Sequence, residues 1–430
     1  MIRQTQQGMA TLLVTSLLLG AVLLLVMASY RSVFYQLKRE QNEVISRTQH
    51  WQAEGILQCV LAKASEQKRL SQMLAESCVE EDEQIHLVAS GHQRYLLQVE
   101  VGFVVLRREL QFPTVSPTAP LTLRGELELA AGAMMIPDAG EWVEDNLWRC
   151  RLIAYQGRLV LGGELVNHGL HTSLPYAEFP PSQACFSGYQ TVVNRGSSFE
   201  QDVVVDPQLA PFENLFGTAR HQWFEVMSQP EFFKIAHQSL TDSEGVIRFS
   251  QAQLPQSQVI SDCAQQLHQA FFNGENLIWI YGSCHLDTDD LFALKYLLNP
   301  ASSTFFGALI VIQNGVLSLS GEAELPIMIY QLIEQPLTSQ QISSGWQAIA
   351  ASQRQVLNQA LAQSERLELE QLVYFQHGDV RPQGGLVLDI APHQALVASA
   401  LEIRFDRDVL NAPLQRLRSV RWRKGSWYAK

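Results

Sequence analysis

The chain has 430 residues, 47% of them hydrophobic and 17% charged, with a formal net charge of −12. That length leaves room for two or three domains, and the apolar content supports a packed core and excludes a wholly disordered chain. The acidic balance excludes a body drawn as a whole to nucleic acid or anionic lipid. One basic exception is the stretch after Asp408, which has no acid and carries Arg416, Arg418, Arg421, Arg423, Lys424 and Lys430.

The first predicted element is an uncharged apolar run over residues 9–30, preceded by a polar leader, residues 1–8, that ends in Gly8. As a helix it spans about 33 Å, enough to cross the hydrocarbon core of a bilayer. Arg3 precedes the run and Arg31, Lys38 and Arg39 follow it, so positive charges compete on both sides and orientation is only weakly signalled. Val26-Met27-Ala28 has the form of a signal-peptidase site, but the run is too long for the apolar core of a secretory signal. A plain transmembrane anchor fits the run.

From residue 31 to 78 the pattern predicts an amphipathic helix on the far side of the membrane. Val33, Leu37, Val44 and Trp51 form one stripe, joined by Leu57, Val60, Leu61 and Ala64. Residues 84–205 then change to short alternating runs separated by Gly, Pro and Asn, which read as strands. Residues 206–275 are mixed, with aromatic-rich helical pieces. Residues 276–335 are again strand-rich.

Three stretches, starting at Leu152, Leu277 and Leu309, share a pattern: an apolar strand, a glycine corner (Gly157, Gly282, Gly315) and an alternating strand. Glycine permits a sharp corner there. Such copies build either the stacked rungs of a β-solenoid or ordinary antiparallel hairpins. Residues 340–373 predict one long helix with Trp346, Ile349, Ala350, Val356, Leu357, Ala360 and Leu361 on one face. Residues 374–430 predict a C-terminal β region in which Val420 and Trp422 point to a core, Arg421 and Arg423 point outward, and Trp427 packs as well. The fold class is therefore α+β: a long N-terminal helix, a mostly β body and a packed helix near the C-terminus.

No Walker loop, GxGxxG turn, HExxH or GxSxG occurs, so no enzyme is expected. Gly282-Ser-Cys284-His285 looks like a nucleophile beside a base, but neighbours in a strand point to opposite faces, and a structural cysteine is the better reading. Asp287, Asp289 and Asp290 have the oxygens for Ca²⁺ without the full loop pattern, and read as a turn or helix cap. No cofactor or metal is expected. The six cysteines, Cys59, Cys78, Cys150, Cys185, Cys263 and Cys284, lack zinc spacing and suit disulfides in an oxidising compartment. Of the 15 possible connectivities, the local pairs Cys59 with Cys78 and Cys263 with Cys284 come first. The former requires the helix to end or turn between them.

The short basic leader ending in Gly8, the apolar helix continuing as a polar one, and the stretch His50-Trp51-Gln52-Ala53-Glu54-Gly55-Ile56-Leu57 resemble type IV prepilins, in particular PilX-like and MSHA-type minor pilins. The close, 400–410 followed by Val420-Arg-Trp-Arg-Lys-Gly-Ser-Trp427, resembles the same group. The resemblance implies cleavage after Gly8 by a prepilin peptidase, methylation of Met9, an inner-membrane anchor with a periplasmic body, and partners among other pilins and the pilus assembly machinery. The usual acid at the fifth mature position is Leu13 here, a departure shared with initiating or tip-type subunits. The K-type pseudopilin of type II secretion shares it, and an anchored periplasmic binding protein remains the alternative from another class.

Overall fold

The computed structural model describes residues 4–67, 70–80, 83–91, 94–111, 119–144, 146–170, 175–176, 179–193, 199–242, 246–299, 307–417, 420–423 and 425–429. Two compact units divide the chain: residues 1–113 with 419–430, and residues 114–418. The second is therefore inserted into the sequence of the first. The β-rich stretch 84–205 and the C-terminal stretch 374–430 are each split between the units.

The first unit begins with α1, Gln4–Gln67, which is about 96 Å long at the usual helical rise. Its last turns pack on an antiparallel sheet of β1 (Glu83–Gly91), β2 (Arg94–Val101) and β3 (Val104–Gln111). The C-terminal strand residues Arg421–Trp422 and Tyr428–Ala429 add to β3, both antiparallel. Ala53, Leu57, Val60 and Ala64 on α1 meet Leu97, Val99, Leu106 and Leu110 on the sheet, all of them fully buried. The stripe expected along α1 is thus two stripes. Val33, Leu37, Val44 and Trp51 stay exposed, because the sheet meets the helix only from about Ala53 onward.

The helix expected over 31–78 stops at Gln67, and a short helix α2, Gln72–Glu76, follows. Ser71 caps α2 by accepting a hydrogen bond from the Leu74 N–H at 3.2 Å. This reversal brings Cys78 back to Cys59, with 5.9 Å between their Cα atoms.

In the second unit, parallel strands wind through successive coils. The chain enters on Leu121–Leu129 and Ala133–Ile136, and Ile153–Leu161 and Leu165–Asn167 stack on these in register. Val203–Val205 adds the outermost strand on that side. The chain then crosses to the opposite end, where Phe233–Ala236 and Gln258–Val259 pair with the two halves of Leu277–Leu286.

From there the coils progress back toward the entry point. Leu277–Leu286 pairs with Ala308–Gln313 and Leu317–Ser320; these pair with Ile327–Leu332 and Leu372–His377; and both of those pair with Leu386–Val397. The pairings close a ring of six parallel strands, since Leu277–Leu286 and Leu386–Val397 each turn a corner and use different partners on either side of it. Leu386–Val397 finally pairs with Leu121–Leu129, so the coil through which the chain leaves lies on the coil through which it entered.

Register stacks like on like. Ile278, Ile310, Ile329, Leu386, Leu121 and Ile153 form one continuous buried ladder. The alternate residues of the same strands, among them Trp279, Val311, Tyr330 and Val387, are buried on the other face. That second face is covered by the helices Pro211–Phe216, Trp223–Met227 and Asp408–Leu417. Burial on both faces explains why these strands read as unbroken apolar runs.

Gly125 and Gly157 are paired at the corner of adjacent coils, at φ +145° and +120°. A Cβ on Gly157 would stand 2.1 Å from the Gly125 carbonyl oxygen, so only glycine fits. The helix expected over 340–373 is two helices, Ser339–Gln347 and Ala351–Gln363. Ala350 is extended (φ −55°, ψ 148°), which breaks the run, and Ser364 is extended again, bringing Leu367 and Leu369 down onto the coil core.

Candidate assembly surface

From Thr11 to Thr48, α1 is wholly exposed, including Leu12, Leu17, Leu19, Leu24 and Val26 at 61–73%. It is the one helix, among the described residues, long and apolar enough to cross a membrane. Two of its hydroxyls are satisfied within the helix. The Thr15 hydroxyl donates to the Thr11 carbonyl at 2.9 Å and the Ser16 hydroxyl to the Leu13 carbonyl at 3.0 Å. Such back-bonding removes the cost of carrying a hydroxyl into hydrocarbon.

At the end of the apolar run the chemistry changes within two turns. Tyr30 stacks on Phe34 at 6.4 Å, and the Lys38 ammonium lies 4.8 Å from the Phe34 ring centroid. Aromatic rings beside cations are the side chains that suit a headgroup region. Beyond them, residues 31–48 form a further exposed segment, about 27 Å long, that still carries Val33, Phe34, Leu37, Val44 and Ile45. Gly8 and Met9 fall in the helical backbone of the first turns; their exposure lies outside the described residues.

All six cysteines are paired: Cys59 with Cys78, Cys150 with Cys185 and Cys263 with Cys284. Cys284 therefore has no thiol to act as a nucleophile. His285 packs against Trp346 at 6.3 Å, and burial lowers its pKa to about 4. The Asp287 carboxylate accepts the N–H groups of Asp289 and Asp290 at 3.0 Å, and Asp290 accepts that of Asp287 at 3.1 Å. These carboxylates cap the helix Thr288–Leu297, and no cluster able to hold a metal occurs among the described residues.

At the C-terminus Val420 is buried and Trp422 half-buried, in the core of the first unit. Arg108 lies over the Trp422 ring at 4.8 Å. Trp427 does not pack as expected. It is 52% exposed and meets the His50 ring edge-to-face at 6.2 Å, because it lies past the Gly425 turn and outside the α1–sheet core. Arg423 is held by Glu109 at 2.7 Å, and Arg416 by Asn276 at 2.8 Å and Glu275 at 3.6 Å. Two of the tail's arginines are thus committed to partners inside their own units. The side chain of Arg421, with Arg418, Lys424 and Lys430, lies outside the described residues.

Sequence reasoning missed a buried charge cluster between coils. Asp389, wholly buried, pairs with Arg124 at 3.0 Å and Arg220 at 2.9 Å and accepts from the Tyr330 hydroxyl at 3.3 Å. Its partners come from distant parts of the chain, and no local motif marks them. No family model matches the chain, and neither does any curated protein or solved structure compared with it.

Proposed function

We propose that this protein is a type IV prepilin of the minor, tip-associated kind, anchored in the inner membrane and drawn from there into a pilus. The observation that carries the reading is α1: an exposed apolar segment that continues without a break, through an exposed polar one, into last turns that pack on an antiparallel sheet. A helix exposed on every side has no place in water, and is stable in lipid or among other helices of its kind. In this reading the mechanism is packing, with residues 9–30 exchanging lipid for the helices of neighbouring pilins while the sheet of the first unit and the whole second unit stay outside.

The inserted second unit supports a scarce position, since a body of that bulk is hard to repeat at every subunit. Its strand-built coils also favour a pilus subunit over the K-type pseudopilin, whose inserted domain is helical. Leu13 in place of an acid fits a subunit with no neighbour above it to neutralise a charge. Prepilin peptidase, other minor pilins and the assembly machinery are the partners this role requires.

N-terminal analysis of the protein from cells with an active prepilin peptidase tests the reading. Mature protein beginning at a methylated Met9 is the expected result, lost in Gly8→Ala. A chain beginning at Met1 or Ser29 overturns it.

A further inference from the structure

A cleft of about 430 Å³ opens in the second unit where the coil corners meet the helix Ser339–Gln347. Its floor is Ser283, just past the Gly282 corner, and the Asn314 turn one coil on. One wall is the segment around Gln256 and Gln258, paired to the same corner. The helix supplies the other wall, through Gln340, Gln341 and Ser344. It can lie this close because Gly345 faces the corner: a Cβ there would stand 2.8 Å from the Val316 side chain.

The lining has an unusual chemistry. Every lining residue except Val259 and Leu337 carries an amide or a hydroxyl, and none is ionisable. Part of this polarity is spent on the fold. The Ser283 hydroxyl accepts the Val316 N–H at 2.9 Å, Ser257 donates to the Asn314 carbonyl at 2.6 Å, and the Gln341 carbonyl oxygen caps Thr338 at 2.9 Å.

Three lining amides are not spent. Among the described residues, the side chains of Gln256, Gln258 and Gln340 make no hydrogen bond in the fold, and all three are exposed to the cleft mouth. Each primary amide donates and accepts at once. Gln256 and Gln258 also border a small adjoining recess lined by His237 and Tyr281.

The ligand class follows by exclusion and by fit. A phosphate, carboxylate or ammonium group would lose its hydration here with no opposite charge to replace it. A wholly apolar ligand would strip water from amides and leave them unpaired. A neutral polyhydroxylated chain meets neither cost, because each hydroxyl both donates and accepts. The volume lies in the range of small-ligand sites. We propose that this cleft binds a neutral oligosaccharide segment, with Gln258 and Gln340 as opposed amide contacts. The proposal concerns the second unit alone and does not depend on the pilin reading.

The test uses the full chain in a zwitterionic detergent, since sugar-headed detergents would compete. Maltotriose and cellotriose serve as neutral probes and trigalacturonate as the charged one, by isothermal titration calorimetry. Expected is binding of at least one neutral trisaccharide at millimolar Kd or tighter, weakened at least tenfold in both Gln258→Ala and Gln340→Ala at unchanged melting temperature, with trigalacturonate weaker. A Ser344→Trp variant, which fills the cleft from an exposed helix position, should abolish binding. Absence of binding by both neutral probes up to 10 mM, equal binding by the variants, or preference for trigalacturonate overturns the proposal.

Discussion

The two units solve the same problem, burying strands, in opposite ways. In the first, β2 is buried on one face only, and its residues alternate between half-exposed and buried along the strand. In the second, Ala308–Gln313 and Ile327–Leu332 are buried at every position, because coil interior lies on one side and covering helices on the other. Antiparallel strands with one wet face tolerate polar residues at every second position; parallel strands covered on both faces do not. The first unit also recruits pieces from both ends of the chain, whereas the second is continuous in sequence. The difference makes the first unit depend on its closing strands and the second on its corners.

The corner dependence gives the largest expected effect. Gly282 sits at φ +137°, and a Cβ there would stand 2.2 Å from the Gln258 carbonyl oxygen. Gly282→Val should destabilise the second unit by about 4 kcal/mol, combining backbone strain with a clash no side chain can relieve. Hydrogen exchange resolved along the sequence should show lost protection over 277–332 and unchanged protection over 83–111. Loss spread evenly over both units would erase the comparison.

The closing strands come next. Deleting residues 419–430 removes Val420 and the strand pairs to β3, and should destabilise the first unit by about 3 kcal/mol. Here exchange should accelerate over 53–64 and 94–111 and not over the coils. An intact first unit after truncation would mean that its sheet is complete with three strands.

Much of this difference was legible in the sequence because hydropathy records burial directly. The runs at Leu277 and Leu309 are adjacent parallel strands in register, and that at Leu152 belongs to a coil on the other side of the entry point. Their glycine corners were visible for two reasons: Gly157 and Gly282 take φ values that suit glycine, and at the third corner, where Asn314 takes the left-handed φ of +51°, a Cβ on Gly315 would stand 2.0 Å from the Gly282 carbonyl oxygen. The order of the coils was not legible, since nothing local says that 121–129 pairs with 386–397. For the same reason Asp389 gave no signal, with Arg124 and Arg220 lying 265 and 169 residues away. The exposed stretch of α1 up to residue 48 shared its period with the buried stretch beyond it, so pattern alone could not show where packing begins. The unspent glutamines of the cleft were equally silent, because an exposed Gln has the same sequence signature wherever it points.

Acid should separate the units by a smaller amount. Burial holds His285 at about 4 against 6.5 unfolded, so it is neutral in the fold and takes up a proton on unfolding. Its stabilising contribution is full above pH 6.5 and is lost as pH falls toward 4, costing the second unit about 2 kcal/mol between pH 7 and 5. Asp138 opposes this. Burial raises it to about 6 despite Arg407, so the native state gains protons over the same range and is stabilised on acidification. The informative quantity is therefore the difference in pH slope between His285→Gln and the native chain. The variant should lose the destabilising arm; identical slopes would place the His285 ring in contact with water. In the first unit the Ser90 hydrogen bond, then Arg423, hold Glu109 below its ordinary value. Its contribution is full above about pH 4.5 and fades as pH falls from there through the lowered value.

The smallest effect decides what holds the C-terminus in place. Arg423 Nη1 lies 2.7 Å from a Glu109 oxygen, yet the arginine side chain is 51% exposed, and ion pairs so open to water contribute about 0.5–1 kcal/mol. Its backbone N–H also donates to the Glu109 carbonyl at 2.9 Å, a bond that Arg423→Ala retains. Ser90 would still donate to the Glu109 carboxylate at 2.6 Å, so that acid is not left without a partner. Arg423→Ala should therefore lower the stability of the first unit by less than 1 kcal/mol, and 0.5 M salt should narrow its gap to the native chain by screening the pair. Truncation at 418 should cost several times more and change little with salt, because buried Val420 and strand pairing carry it. Were the single substitution to match the truncation, the terminus would be clamped by charge, and the strands would follow from the clamp instead of forming it.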